Sequence, residues 1–232
     1  MGELAATDRL IVALDVPTMI EARALVSRLG DAVSFYKIGH ELLFDGGLDL
    51  ARELKGQGKR VFLDMKLLDI SNTMERSVAN AARLGVDFLT IHGHDSKSVR
   101  AAVGGKGDSS LKLLAVTVLT NLNAADIAEQ GIAMAPAELV AHRASLARAC
   151  GCDGVIASGE EAAAIRALAA PAFLIVTPGI RPLGSASGGQ SRVVTPEAAI
   201  SAGADHIVVG RPITQARDPR AAAEAILASL RI

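Results

Sequence analysis

The sequence predicts a single (β/α)8 (TIM) barrel that spans residues 1–232. Eight short apolar runs recur along the chain, and a stretch rich in Ala, Leu, Arg and Glu with helical spacing follows each of them. Continuously apolar strands that alternate with helices are typical of a parallel sheet covered by helices. Eight such units in 232 residues fit one barrel, and no linker marks a second domain.

The predicted strands, in order, are 10–15, 33–39, the opening of 61–73, 88–92, 111–119, 154–156, 173–179 and 206–212. The first predicted helix carries Ile20, Leu25 and Leu29 on one face and ends at Gly30, a residue that commonly terminates helices. Four more helices are predicted at 48–57, 72–84, 137–149 and 219–230, and another begins near Ser96. Ser158 with Glu161 three residues later matches a capping box, which predicts a helix start at Ser158. A long insertion, 121–136, separates the fifth strand from its helix.

A doubly wound open sheet is the main alternative fold. It would be favoured by a glycine-rich phosphate-binding turn directly after the first strand. Residues 15–18, Asp-Val-Pro-Thr, do not form such a turn. The barrel is therefore the preferred prediction.

Composition excludes several classes of function. The net charge is −1 and no basic run is present, which argues against binding to nucleic acid or to an anionic membrane. The N-terminal segment lacks the pattern of a secretory signal, and no apolar run reaches the roughly 18 residues of a membrane span. Cys150 and Cys152 lie too close for an easy disulfide and have no second ligand pair, so we expect reduced thiols and a cytoplasmic protein.

Charged residues collect where the first strands end. They are Asp15, Lys37, Asp64 and Lys66, and Asp69 follows just beyond. Residues two apart on a strand share a face, so Asp64 and Lys66 are expected to point the same way. Active sites of barrels lie at the carboxyl ends of the strands, which makes these residues candidates for catalysis. The structural alternative is a set of salt bridges that closes the top of the barrel.

The loops after the seventh and eighth predicted strands suit a phosphate group. Glycines allow the backbone to approach an anion, and arginine offers a fork that matches phosphate oxygens. The candidates are Gly179, Arg181, the Gly/Ser segment 184–189, Gln190, Gly210 and Arg211. A segment without a role is the alternative for 184–189, and a mobile loop that closes over a ligand is compatible with both interpretations. His92 ends the fourth strand and is a candidate for the floor of the site.

The pattern Asp64-x-Lys66-x-x-Asp69-Ile70-x-Asn72-Thr73 resembles the active-site motif of the orotidine 5′-phosphate decarboxylase family, of the bacterial type. The resemblance covers nearly the full length of the chain. Further matches are Leu14-Asp15, Tyr36-Lys37-Ile38-Gly39, Val118-Leu119-Thr120, Thr177-Pro178-Gly179-Ile180-Arg181 and Val209-Gly210-Arg211-Pro212-Ile213. Two departures are Ser71, where the family usually has Pro, and Gly93, where another small residue is more common.

The resemblance implies conversion of orotidine 5′-phosphate to uridine 5′-phosphate (UMP) and CO2, the last step of de novo UMP synthesis, without metal or organic cofactor. Lys66 would stabilise and protonate the C6 carbanion, and Lys37 would pair with Asp64 in an array of alternating charge. Asp69 and Thr73 would reach the site of the neighbouring subunit in a homodimer.

The same resemblance implies the substrate contacts. Asp15 and Lys37 would bind the ribose, and Thr120 the edge of the pyrimidine. The phosphate would be held by Arg181, Gln190, Gly210 and Arg211, with Gln190 bridging phosphate and base.

Two other functions remain open at the level of sequence. A Mg2+-dependent sugar-phosphate lyase of the same barrel suprafamily shares the Asp-x-Lys-x-x-Asp pattern. Lys37 and the Ile70-x-Asn72-Thr73 sequence favour the decarboxylase over that lyase. A non-catalytic barrel that binds nucleotide phosphates is the second alternative, and the complete charge array argues against it.

Overall fold

Eight parallel strands close into a barrel in the order in which they occur along the chain. The computed structural model describes residues 4–182 and 194–230. The strands are β1 Leu10–Ala13, β2 Phe35–Ile38, β3 Arg60–Leu67, β4 Phe88–His92, β5 Lys112–Val116, β6 Gly154–Ile156, β7 Leu174–Thr177 and β8 His206–Val209. Pairing of β1 with β8, with Leu10 opposite Ile207, closes the ring. The predicted barrel is confirmed, and the open sheet is excluded.

Helices form the outer layer, and all of them follow a strand except α1, which precedes β1. They are α1 Ala6–Arg9, α2 Met19–Leu29, α3 His40–Leu42, α4 Leu48–Gly56, α5 Ser71–Arg83, α6 Ser96–Lys106, α7 Ala124–Glu129, α8 Pro136–Ala149, α9 Ala162–Leu168, α10 Pro196–Ser201, α11 Arg211–Thr214 and α12 Pro219–Ser229. Local signals explain several of their ends. Thr18 caps α2 by accepting from the backbone N–H of Glu21, and Gly30 ends it with φ of 57°. Asp95 caps α6 by accepting from the N–H of Ser98.

Two helical predictions need correction. The capping box at Ser158 does not start a helix there, because the chain makes a turn over 159–161 and α9 begins only at Ala162. Ser158 nevertheless donates a hydrogen bond to Glu161. The insertion 121–136 contains a helix of its own, α7, whose N-cap Asn123 and third residue Asp126 form a complete capping box.

The core has two parts, one on each side of the sheet. The barrel interior contains a cluster of inward-facing residues: Ile11, Ala13, Phe35, Phe62, Phe88, Leu114, Val176 and Val208. A larger aliphatic cluster lies between the strands and the helices. Successive side chains of a strand point to opposite faces, so each buried strand supplies both clusters. The interior cluster forms an apolar layer beneath the carboxyl ends of the strands.

A repeated Gly-x-Asp sequence closes the amino end of the barrel. It precedes β4, β6 and β8, and its aspartates are Asp87, Asp153 and Asp205. Each carboxylate accepts from a backbone N–H of the preceding strand at 2.8–2.9 Å. Each carboxylate also pairs with a cationic side chain of α4, α6 or α9, the helices that precede β3, β5 and β7. These cations are Lys55, Lys106 and Arg166. The glycines, Gly85, Gly151 and Gly203, have φ of 71°, 92° and 100°, the region that favours glycine.

Cys150 and Cys152 are buried free thiols, as predicted. None of the helices described above is long and apolar enough to cross a membrane.

Candidate active site

A cavity of about 440 Å³ opens at the carboxyl ends of the strands. It is lined by Ala13, Asp15, Lys37, Phe62, Asp64, Lys66, Val116, Val118, Leu119, Thr120, Asn121, Ile156, Pro178, Gly179, Arg181, Val208, Gly210, Arg211 and Gln215. Nine of the predicted site residues are therefore brought together: Asp15, Lys37, Asp64, Lys66, Thr120, Gly179, Arg181, Gly210 and Arg211. Gln190 and the segment 184–189 lie outside the described residues.

The floor of the cavity is apolar because it is the upper surface of the barrel interior. Ala13, Phe62 and Val208 belong to the interior cluster and also line the cavity. Phe62 and Asp64 are two residues apart on β3, so both point inward, with the carboxylate above the ring. Charged groups are thus placed directly on an apolar surface of low dielectric, where electrostatic interactions are stronger than in bulk solvent.

Four charged side chains alternate in sign across the ends of β1, β2 and β3. Lys37 Nζ lies 2.8 Å from Asp15 Oδ1 and 3.4 Å from Asp64 Oδ2. Lys66 Nζ lies 2.8 Å from Asp64 Oδ1. Lys37 and Asp64 are the most deeply buried members, whereas the Asp15 side chain is 53% exposed. The array predicted from the sequence is therefore assembled within one chain for these four residues.

Burial and pairing act in opposite directions on the two buried members. Burial alone would raise the pKa of Asp64, but Lys37 and Lys66 outweigh it and hold that pKa below its ordinary value. Burial would likewise lower the pKa of Lys37, but Asp64 and Asp15 outweigh it and raise that pKa. Both groups are accordingly charged at neutral pH.

Lys66 lies in an irregular part of β3. Leu63 pairs with Leu89 and Leu67 pairs with Ile91, so β3 places two more residues than β4 between these pairs. Within this bulge Lys66 has φ of 46°, the one positive value of a non-glycine residue in the described chain. His40 Nε2 bonds the Met65 carbonyl at 2.8 Å, and the Lys66 N–H donates to Thr90 Oγ1 at 2.9 Å. Bulges often redirect a side chain near a site, and this one directs the Lys66 ammonium into the cavity.

The opposite wall of the cavity is cationic. Arg181 is buried and Arg211 exposed, and burial followed by the nearby Arg211 lowers the pKa of Arg181. The Arg181 N–H donates to the Val194 carbonyl at 3.0 Å, which joins the two ends of the undescribed segment 183–193. Two guanidinium groups beside Gly179 and Gly210 fit an anion with several oxygens, such as phosphate.

Asp69 and Thr73 do not contribute to this cavity in the single chain. Both are exposed, and neither lines the cavity. The Asp69 carboxylate accepts from the N–H of Ile70 at 2.6 Å, and the neighbouring Leu68 and Ile70 are 51% and 73% exposed. The predicted motif is thus divided, with Asp64 and Lys66 inside the cavity and Asp69 and Thr73 outside it.

His92 does not form the floor, contrary to the prediction. Its ring is 4.5 Å from that of His94, and it is absent from the cavity lining. Burial, followed by the effects of His94 and Lys66, lowers the pKa of His92 to about 4, so the ring is neutral at pH 7. Within 4–182 and 194–230, no group of three or more His, Cys, Asp or Glu side chains is placed to hold a metal ion.

Some residues of the site were missed at the level of sequence. Asn121 and Gln215 line the cavity, and buried Thr90 bonds both Asp64 and Lys66. The period of two along β4 offered a signal for Thr90, because it shares a face with the interior residue Phe88. No comparable signal marks Gln215, which follows the short helix α11.

Comparisons with known proteins agree with this geometry. The model of the orotidine 5′-phosphate decarboxylase / HUMPS family matches residues 8–226. A protein of Bradyrhizobium sp. (strain ORS 278), named orotidine 5′-phosphate decarboxylase, is 55% identical over 228 residues, or 98% of this chain and 93% of that protein. A protein of the same name from Methylobacterium sp. (strain 4-46) is 55% identical over 98% of this chain and 97% of its own. The crystal structure of orotidine 5′-phosphate decarboxylase from Lactobacillus acidophilus superposes with a TM-score of 0.85 at 39% identity, covering 96% of this chain and 99% of that one.

Proposed function

We propose that Lys66 performs the chemistry of this enzyme. The chain belongs to the orotidine 5′-phosphate decarboxylase / HUMPS family and converts orotidine 5′-phosphate to UMP and CO2, the last step of UMP synthesis. One observation carries this proposal. The Lys66 ammonium is fixed 2.8 Å from Asp64 in the wall of a cavity that has an apolar floor and an arginine-rich opposite side. That arrangement suits a nucleotide whose base lies at Lys66 and whose phosphate lies at the arginines.

The proposed reaction needs no metal or organic cofactor. The bond between C6 and the carboxylate carbon breaks, CO2 leaves, and the electron pair stays on C6 as a vinyl carbanion with little resonance stabilisation. The Lys66 ammonium lies beside C6, stabilises the developing negative charge and transfers its proton to C6. Neutral Lys66 then regains a proton from solvent.

Asp64 and Lys37 hold Lys66 ready for this step. Asp64 accepts hydrogen bonds from Lys66 and Thr90 and pairs with Lys37. A carboxylate held by three partners does not have to reorient during the reaction. Groups that are oriented in advance stabilise a developing charge without a cost of reorganisation, which is how preorganised sites achieve most of their electrostatic stabilisation. We favour this role for Asp64 over one in which it destabilises the carboxylate of the substrate.

The remaining site residues bind the substrate. Asp15 and Lys37 hold the ribose hydroxyls, and Thr120 contacts the pyrimidine edge. The phosphate is bound by Arg181, Gly210, Arg211 and Gln190, and Gln190 also contacts the base. Because the phosphate is remote from C6, its binding energy is available to position the base beside Lys66.

The active enzyme is a homodimer with shared sites. The exposed positions of Asp69 and Thr73 support this proposal, because neither residue lines the cavity of its own chain. The exposed apolar side chains of Leu68 and Ile70 flank Asp69 and would be covered by a partner. In the dimer, Asp69 and Thr73 reach the neighbouring cavity, where Asp69 flanks the substrate carboxylate.

We further propose that residues 1–232 form one catalytic domain and that the enzyme is cytoplasmic.

The role of Lys66 is tested by replacing it with alanine. Turnover is followed as the loss of ultraviolet absorbance after addition of orotidine 5′-phosphate. Lys66→Ala is expected to lower kcat by at least about 10³-fold, since proton transfer and charge stabilisation are both lost. Lys97→Ala, at an exposed lysine of α6, is the control and is expected to keep the activity of the parent. Undiminished turnover in Lys66→Ala would contradict the proposed role.

Subunit sharing is tested by mixing two inactive variants. Lys66→Ala damages the chain's own site, and Asp69→Ala damages the partner's. Random co-assembly makes half of the dimers mixed, and each mixed dimer has one intact site, so about a quarter of the parent activity should return. No recovery above the two variants alone would contradict shared sites.

A further inference from the structure

Thr90 is a buried polar residue at the centre of β4, directly beneath the charged array. It is fully buried and shares the interior face of the strand with Phe88. Its hydroxyl oxygen accepts from the Lys66 N–H at 2.9 Å and donates to Asp64 Oδ1 at 2.9 Å. The Lys66 N–H can only donate and the ionised Asp64 carboxylate can only accept, so the single proton of the Thr90 hydroxyl points to Asp64.

The first of these bonds acts on the backbone of Lys66. A left-handed conformation is unfavourable for a residue with a side chain and persists only where the surroundings impose it. At Lys66, with φ of 46°, the N–H would otherwise lack a regular ladder partner, because the pairing with β4 is interrupted between Leu63 and Leu67. Thr90 replaces that partner with a side-chain oxygen. The bulge is therefore stabilised from the neighbouring strand.

The second bond acts on the ion pair itself. Asp64 Oδ1 is the oxygen that Lys66 Nζ contacts at 2.8 Å and also the one that receives the Thr90 hydroxyl proton. The backbone of Lys66 and the carboxylate that binds its ammonium are consequently fixed by a single oxygen atom. A shift of that atom would displace both ends of the Lys66 side chain.

We propose that Thr90 is a positioning residue, which sets the left-handed turn at Lys66 and the orientation of Asp64 so that the ammonium meets the reacting carbon. The inference rests on the proposed role of Lys66. The site requires three properties of Thr90. A β-branched side chain suits the strand, a donor satisfies Asp64, and an acceptor satisfies the Lys66 N–H. Valine retains the shape and loses both bonds, whereas serine retains both bonds and loses a methyl group.

The test compares Thr90→Val with Thr90→Ser, measuring kcat, KM and the pH dependence of kcat. Thr177→Val is the matched control. Thr177 is also fully buried in a strand, and its hydroxyl has no hydrogen-bond partner within the part of the chain that the structure describes. Thr90→Val is expected to lower kcat by about 10²-fold with KM within about threefold, the size expected for a misplaced catalytic group. Thr90→Ser and Thr177→Val are expected to stay within about threefold of the parent.

The pH profile separates positioning from general damage to the fold. The charged or titratable groups that act on Asp64 or are affected by it include Lys37 from β2, Lys66 from β3 and His92 from β4. Loss of the Thr90 hydroxyl removes one donor to the Asp64 carboxylate, which raises the pKa of Asp64. The acid limb of the kcat profile should therefore move to higher pH in Thr90→Val and stay in place in the two other variants.

If Thr90→Val does not fold, Thr90→Cys is compared with Thr90→Ser, because a thiol has nearly the shape of the hydroxyl and is a much weaker donor and acceptor. Loss of kcat in Thr90→Cys with retention in Thr90→Ser supports the inference. It is overturned if Thr90→Val, or Thr90→Cys in its place, matches the serine variant in kcat. The activity of Lys66→Ala separates the two possible failures. If only the inference about Thr90 is wrong, Lys66→Ala is still inactive. If the proposed role of Lys66 is wrong, Lys66→Ala is active.

Discussion

Lys37 Nζ and Asp64 Oδ2 lie 3.4 Å apart on neighbouring strands, and both side chains are at most 14% exposed. Taking an ion pair out of water is costly, and it persists where further partners compensate the remaining charge. Asp15 binds the second side of Lys37, and Lys66 and Thr90 bind Asp64. The pair is therefore the middle of the array, and changes to either member affect both ends.

Removing the Lys37 charge is expected to change the pH dependence of turnover. The pKa of Asp64 is depressed because Lys37 and Lys66 outweigh its burial, so Asp64 stays ionised down to low pH. In Lys37→Met one of these cations is gone, the pKa of Asp64 rises, and the acid limb of kcat moves to higher pH. We expect kcat/KM to fall by about 10²-fold.

Lys55→Met serves as the control, since Lys55 pairs with Asp87 at the other end of the barrel. It should leave the profile in place. An acid limb in Lys37→Met that coincides with that of the parent would contradict the coupling between Lys37 and Asp64.

A methyl group at Gly39 is expected to disturb the ribose side of the array. A Cβ there would lie 3.1 Å from Lys37 Nζ and 3.4 Å from Asp15 Oδ1, although φ of −101° is acceptable for alanine. Gly39→Ala should lower kcat/KM by about tenfold with little change in the unfolding transition. Gly56→Ala is the control, because a Cβ at Gly56 meets nothing within 4 Å. Equal kinetics for the two variants would show that the Lys37–Asp15 contact tolerates displacement.

Asp153→Asn is expected to lower stability without affecting turnover. The carboxylate binds Lys106 at 2.7 Å and the Leu113 N–H at 2.9 Å, at the end of the barrel opposite the site. Loss of charged hydrogen bonds of this kind lowers the free energy of unfolding by about 1–3 kcal/mol. Chemical denaturation at fixed protein concentration measures it, with Asp108→Asn at an exposed carboxylate as the control.

The effect should depend on pH with a defined sign. Burial would raise the pKa of Asp153, but the bonds from Lys106 and the Leu113 N–H lower it. A depressed pKa stabilises the fold above the unfolded-state value of about 3.9, and this stabilisation is lost as pH falls through the folded-state value. The difference between parent and Asp153→Asn should thus be constant near neutrality and shrink on acidification. A difference that grows below about pH 4 would contradict the assignment.

Ser71→Pro is expected to stabilise the fold. Ser71 is the first residue of α5, where proline is well tolerated, and the preceding Ile70 has φ −62° and ψ 153°, which suits a residue before proline. Proline should raise the free energy of unfolding by about 0.4–1 kcal/mol by restricting the unfolded chain. Thermal and denaturant unfolding of Ser71→Pro and Ser71→Ala separate this effect from loss of the hydroxyl. A destabilised proline variant would mean that the Ser71 N–H or its φ matters.

Most of the fold and part of the site followed from the sequence, and specific residues explain the remainder. The period of two along a strand predicted that Asp64 and Lys66 share one face. Both side chains do line the cavity, although the bulge changes the backbone between them and the regular strand. The bulge itself was not predicted, because Lys66 is not a glycine and nothing marks its left-handed φ. Helix α7 was not predicted, although Asn123 and Asp126 form a capping box at its start. At Ser158 the same signal predicted a helix start, but the chain makes a turn there and α9 begins at Ala162. For Asp69 and Thr73, a single chain shows only that they lie outside their own cavity.

The central claim is that Lys66 exchanges a proton with C6, and hydrogen exchange at that carbon tests it without loss of CO2. In D2O, the enzyme is incubated with 5-fluoro-UMP, in which the electron-withdrawing fluorine makes the C6 carbanion easier to form, and the C6 proton signal is followed by NMR. By microscopic reversibility, the parent should replace this proton with deuterium, and Lys66→Ala should leave it in place. Exchange in Lys66→Ala at the rate of the parent would contradict the claim.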